Sequence, residues 1–152
     1  MKIRQGFVSN SSSSSFVVVD LALPETPPNW PEDLVVDQDF CGDIEFGWGP
    51  GEVRHIGGRI AFAYLQYCYC PKDEWLSLIE DAIKLNTKVK NITWKISDAR
   101  YPKVDDGKVE GYIDHQSSAS EGRNTEIFDS LETMEHFIFG VDSKIVLDND
   151  NH

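Results

Sequence analysis

The chain has 152 residues, 40% of them hydrophobic and 11% aromatic, with 26 acidic residues against 14 basic ones for a formal net charge of −12. Such a composition belongs to a folded domain with a real core and not to a disordered segment. The acidic excess argues against a direct nucleic-acid binder, which needs clustered Lys and Arg on phosphates, and against attachment to anionic membrane surfaces; it leaves open association with a basic protein partner.

The chain opens with an apolar cluster, Ile3, Phe7 and Val8, then the serine tract Ser11 to Ser15, then Phe16, Val17, Val18 and Val19. A serine tract is ordinarily a flexible linker. The β-branched run after it predicts a buried strand of about five residues. No secretory signal is expected, because Lys2 and Arg4 are followed by serines where an apolar run of about 7–15 residues would stand. No stretch approaches the ~20 apolar residues of a membrane span. Three cysteines, Cys41, Cys68 and Cys70, are an odd count that leaves at least one thiol unpaired. The expected setting is therefore reducing and cytoplasmic.

Arg4, Gly6, Phe7, Val8, Ser9, Asn10, Ser11 to Ser15 and Phe16 together resemble, without a gap, a leader found at the start of many otherwise unrelated small proteins of bacteriophages and their hosts. The resemblance covers about a tenth of the chain. It implies a phage origin, in the cytoplasm of an infected bacterium, and no particular activity. The expected organisation is a serine-rich leader, residues 1–15, and one domain, residues 16–152.

Downstream, four prolines between Leu23 and Pro31 exclude helix and central strand, so this is a loop packed through Trp30. The glycine- and aromatic-rich stretch Asp37 to Gly58 predicts turns, and its Gly-Trp-Gly-Pro-Gly lacks the spacing and the Lys-Ser/Thr of a phosphate-binding loop. Ile60, Ala61, Tyr64, Leu65 and Cys68 predict a helix over 58–68 that ends at Pro71. Trp75, Leu76, Ile79, Ala82 and Ile83 predict a second, capped by Asp73, and the two form a helical hairpin. Ile92, Trp94 and Ile96 alternate with polar residues as in a half-buried strand. Asp106-Gly107 predicts a tight turn returning the chain through a second strand, Val109 to His115. Asp129 with Glu132 predicts a capped helix closed by Gly140, and Lys144 to Leu147 a last strand. The expected fold class is α+β: one mostly antiparallel sheet packed with the helical hairpin and a C-terminal helix.

Three site types follow from the residues. Asp114, His115, Asp148 and Asp150 are a ligand set for a catalytic divalent metal, at the ends of predicted strands. Neighbours on a strand point to opposite faces, however, so Asp114 and His115 share one ion only across a bulge. A structural zinc site is poorly matched, since Cys68-x-Cys70 is too closely spaced and leans on Cys41 and His55 to complete four ligands. A nucleophilic site has no strand-turn-helix elbow behind it, and Cys41 beside Asp43 and Glu45 predicts a raised thiol pKa, wrong for a reactive cysteine. Finally, Glu32, Asp33, Asp37, Asp39, Asp43 and Glu45 on one loop region, with Trp48 as an aromatic anchor and Asp105, Asp106 and Glu110 on the predicted hairpin, form an acidic candidate surface.

Gly111-Tyr-Ile-Asp-His-Gln-Ser117, Phe46-Gly-Trp48, Ala61 to Gln66 and Asp148 to Asn151 also resemble a family of phage proteins with no established activity. The expected function is that of a phage accessory protein binding a host or phage protein with a basic surface, without catalysis, cofactor, nucleic-acid contact or membrane. A metal-dependent hydrolase or nucleotide-processing protein is the alternative.

Overall fold

The computed structural model describes residues 2–4, 13–42, 44–46, 51–69, 71–98, 108–113 and 125–149. Their elements run β1 (Lys2–Arg4), β2 (Ser13–Asp20), β3 (Asp33–Val36), α1 (Gln38–Cys41), β4 (Glu45–Phe46), β5 (Gly51–Val53), α2 (Ile56–Tyr69), α3 (Asp73–Asn86), β6 (Asn91–Trp94), β7 (Ile96–Asp98), β8 (Val109–Ile113), a 3₁₀ turn (Thr125–Phe128), α4 (Leu131–Phe139) and β9 (Lys144–Asn149). The protein is α+β, with a four-stranded antiparallel sheet ordered β1-β2-β9-β5 and the helical hairpin and C-terminal helix that the periodicity predicts.

That sheet begins inside the serine tract. Ser13, Ser14 and Ser15 pair with Asn149, Asp148 and Leu147, and the register continues through Phe16 and Val17 opposite Val146 and Ile145. Serine has little strand preference of its own; the tract is held there by a ladder to β9. The boundary drawn at residues 15 and 16 therefore falls within one strand. Val17, Val19 and Ile145 are fully buried, the period-two face expected of a half-covered sheet.

The hairpin predicted at Asp106-Gly107 is corrected. β7 and β8 run parallel, Ile96 opposite Val109 and Asp98 opposite Gly111, and Asp106 and Gly107 lie outside the described residues. β3 pairs parallel with β6, and β4 parallel with β8. Lys95 breaks the strand between β6 and β7. Its N–H donates to Val36 O and its carbonyl accepts from Val109 N–H, both at 2.8 Å. In a regular strand both groups of a residue face one neighbour, so this split is what hands the chain from β3 to β8.

The core is built around α2, whose residues Ile60 to Leu65 are all buried. Phe62 lies edge-on to Phe46, centroids 5.2 Å apart, and against Phe137 at 6.3 Å. α3 is amphipathic and buries Trp75, Ile79, Ala82 and Ile83. Trp30 fastens the proline loop as expected, packing on Phe40 at 5.1 Å and Phe139 at 5.9 Å.

Two caps differ from expectation. Lys72, not Asp73, stands at the N-cap of α3, without a side-chain bond, which leaves Asp73 in the first turn where a carboxylate favours the helix dipole. Ser130, not Asp129, caps α4, its hydroxyl accepting from Thr133 N–H at 3.1 Å. Gly140 does end α4, but with φ −56 it is needed for space and not for a left-handed turn, since a Cβ there would sit 2.1 Å from Asp20 O.

Candidate acidic binding surface

The acidic loop separates into residues absorbed by the fold and residues left facing outward. Asp37 caps α1, its Oδ1 accepting from Phe40 N–H at 2.9 Å. Asp33 Oδ1 accepts from Asn91 Nδ2 at 2.7 Å, along the β3–β6 pairing. Glu32 faces Lys90 at 3.7 Å, while its carbonyl accepts from Lys90 and Asn91 N–H. Asp37 is half-buried in its cap, while Glu32 and Asp33 are exposed and make their contacts at the surface. Asp39 on α1 and Glu45 on β4 are exposed.

The parallel pairing of β4 with β8 sets Glu45 opposite Tyr112, and this brings Glu110 to the same side of the molecule. Glu45 and Glu110 line one cleft of about 420 Å³ with Gln38, Gly42, Ile44 and Val109. Ile44 is buried, so the exposed Val109 is the apolar side chain the cleft offers beside two carboxylates and an amide. Among the described residues, no lysine or arginine lines it. Such an arrangement suits an ammonium or guanidinium group on an aliphatic stem, which carboxylates bind through charge-assisted hydrogen bonds. Asp43, Trp48, Asp105 and Asp106 lie outside the described residues.

Of the metal candidates, Asp114, His115 and Asp150 also lie outside them, while Asp148 stands in β9 opposite Ser14. Among the described residues, no group of three or more His, Cys, Asp or Glu is placed to hold a metal ion. Of the leader residues, Arg4 stands in β1 opposite Val18, and Gly6, Phe7, Ser9 and Asn10 lie outside the described set.

Cys41 and His55 do meet, but through the backbone: the imidazole Nε2 hydrogen-bonds the Cys41 carbonyl, over the space left by Gly42. The Cys41 thiol is buried, and burial, reinforced by Asp37, pushes its pKa up to about 12. It stays protonated at neutral pH and is not a nucleophile. The sequence predicts the rise for an exposed thiol beside Asp43 and Glu45; in the fold it comes first from burial and then from Asp37.

Two buried polar residues carry structural weight that the sequence reading passes over. Arg59 Nη1 donates to the carbonyls of Phe137 and Gly140. The Asp20 carboxylate accepts from Ala22 N–H and Asp142 N–H, and the Asp20 N–H donates to Ser143 Oγ. The available signal was a charge set directly against an apolar run: Asp20 after Phe16 to Val19, and Arg59 before Ile60 to Leu65.

No family model matches the chain, and neither does any curated protein or solved structure.

Proposed function

We propose that this protein, a phage accessory protein on the resemblance of its leader, acts by binding a basic surface of a host or phage protein and thereby modulating it. The observation that carries the reading is the cleft in which Glu45 and Glu110 come together from strands far apart in the chain, with Asp39 exposed on α1 nearby in sequence. A chain of net charge −12 attracts a basic partner at long range, and the cleft supplies the short-range contact for a lysine or arginine side chain. Asp37 supports this face indirectly, by capping α1. Asp43 and Trp48 remain part of the proposed surface on sequence grounds.

The test is capture from bacterial lysate on the full-length protein, beside a variant carrying Asp39→Lys, Glu45→Lys and Glu110→Lys. These are exposed positions, where substitution leaves the fold within about 0.5 kcal/mol each. A stoichiometric basic partner should be held at about 50 mM salt, lost at about 500 mM, and lost from the variant at both. Capture indifferent to salt and to charge reversal would sink the reading.

A further inference from the structure

A second surface, sharing no lining residue with the acidic cleft, lies between the proline loop and the C-terminal end of α3. Two adjoining hollows of about 220 and 390 Å³ meet at Pro27, Leu85 and Asn86. The first reaches Leu23 and Phe139, the second Lys88. Leu85 is 64% exposed and Leu23 41%. Leu21 and Val141 are also exposed beside them, where Val141 N–H donates to Ala22 O. Of the six large apolar side chains most exposed among the described residues, Leu23 and Leu85 line the hollows.

Isolated exposed leucines are ordinary, but a contiguous group beside a groove marks an interaction surface. The wall is preformed, since prolines 24, 27 and 28 restrict the loop and Trp30 anchors it. The residues lining the two hollows include one charge, Lys88, and no carboxylate. Residues 84–90, Lys-Leu-Asn-Thr-Lys-Val-Lys, hold three lysines and no acid, in a protein where acids outnumber bases 26 to 14. Lys84 and Lys88 are exposed, and neither forms an ion pair with a described residue. Lysines at a helix C-terminus complement its dipole. The dipole gives no reason for Leu85 to face water between them.

We propose that this groove docks a short peptide segment of another protein, one that places a leucine-type side chain against Leu23 and Leu85 and a carboxylate against Lys88. The protein then has two binding faces of opposite charge preference, and the groove's occupant is acidic where the cleft's is basic.

The test selects random dodecamer peptides displayed on particles against the full-length protein, then measures the enriched peptides by fluorescence anisotropy. Enrichment of sequences joining Leu, Ile or Met to Asp or Glu is expected. Leu85→Asp should weaken them by about 30-fold or more, as at a buried contact point, and Lys88→Glu by a few-fold with a reduced salt dependence. Both substitutions are on exposed side chains, and an unchanged thermal midpoint confirms that each variant is folded. Enriched peptides without acids, or binding unmoved by Leu85→Asp, overturns the proposal. So does light scattering that finds a dimer dissociated by Leu85→Asp, which would give the groove to a second copy.

Discussion

Arg59 Nη1 lies 2.8 Å from the carbonyl oxygen of Gly140 and 3.1 Å from that of Phe137, so one side chain of α2 closes the end of α4. The last carbonyls of a helix have no partner within it and carry partial negative charge. Arg59 is only 4% exposed, and burial lowers its pKa to about 10, which leaves it charged at neutral pH. Arg59→Met keeps the apolar stem and removes both bonds. The expected loss is about 1–3 kcal/mol in urea unfolding, since the Phe137 carbonyl loses the guanidinium while the Gly140 carbonyl keeps its bond from Ser143 N–H. A loss below about 0.5 kcal/mol would mean that water replaces the guanidinium there.

Gly57→Ala should reverse a familiar sign. Replacing a helical glycine by alanine normally stabilises by about 0.5–1 kcal/mol. Here the added Cβ would stand 2.1 Å from Phe40 O, a backbone atom that cannot swing aside. Denaturant unfolding should show a loss of about 1–3 kcal/mol as α1 is pushed off α2.

The cap assignment at α4 is separable by two variants. Ser130→Ala removes the oxygen that accepts from Thr133 N–H and should lose about 1 kcal/mol. Asp129→Ala leaves that bond intact, and its thermal midpoint should stay close to wild type. Equal effects would put the cap back at Asp129.

Cys41 should be silent to thiol reagents in the native state. With Cys68→Ser and Cys70→Ser, the remaining thiol is expected to react with Ellman's reagent only as fast as the protein opens. Its folded pKa, about 12, lies above the ordinary value of 9.0. The unfolded state therefore releases this proton first as pH rises. The stability it contributes is intact below pH 9 and declines from there towards pH 12, where the native thiol also ionises. Unfolding free energies of wild type and Cys41→Ala, compared from pH 7 to pH 10.5, should converge above pH 9.

The helices were legible because their signal is local. The stripe Trp75, Ile79, Ala82 and Ile83 is the buried face of α3, and Leu85, one apolar residue off that stripe, is the one left exposed. Strand partners are not a local property. Asp106-Gly107 predicts a hairpin by turn chemistry, yet β8 lies parallel to β7 because the break at Lys95 and the pairing with β4 decide its direction. The serine tract misleads for the same reason, its strand being specified by β9 at the far end of the chain. In the candidate site, Asp33 and Asp37 looked like surface charge. Asp33 does stay at the surface, where it bonds Asn91, but Asp37 is half-buried as the cap of α1, and Glu45 and Glu110 become neighbours through pairing that no spacing announces.

The bond from Asp20 N–H to Ser143 Oγ joins residues 123 positions apart. A ribosome adds about 5–20 residues per second, so β2 emerges roughly 6–25 s before β9 exists to receive it. Throughout that interval the valines of β2 have β1 as their only strand neighbour from the four-stranded sheet that has yet been made. Completion of the sheet thus waits for a strand made long after β2. Until then the nascent chain carries an unfinished sheet edge open to mispairing.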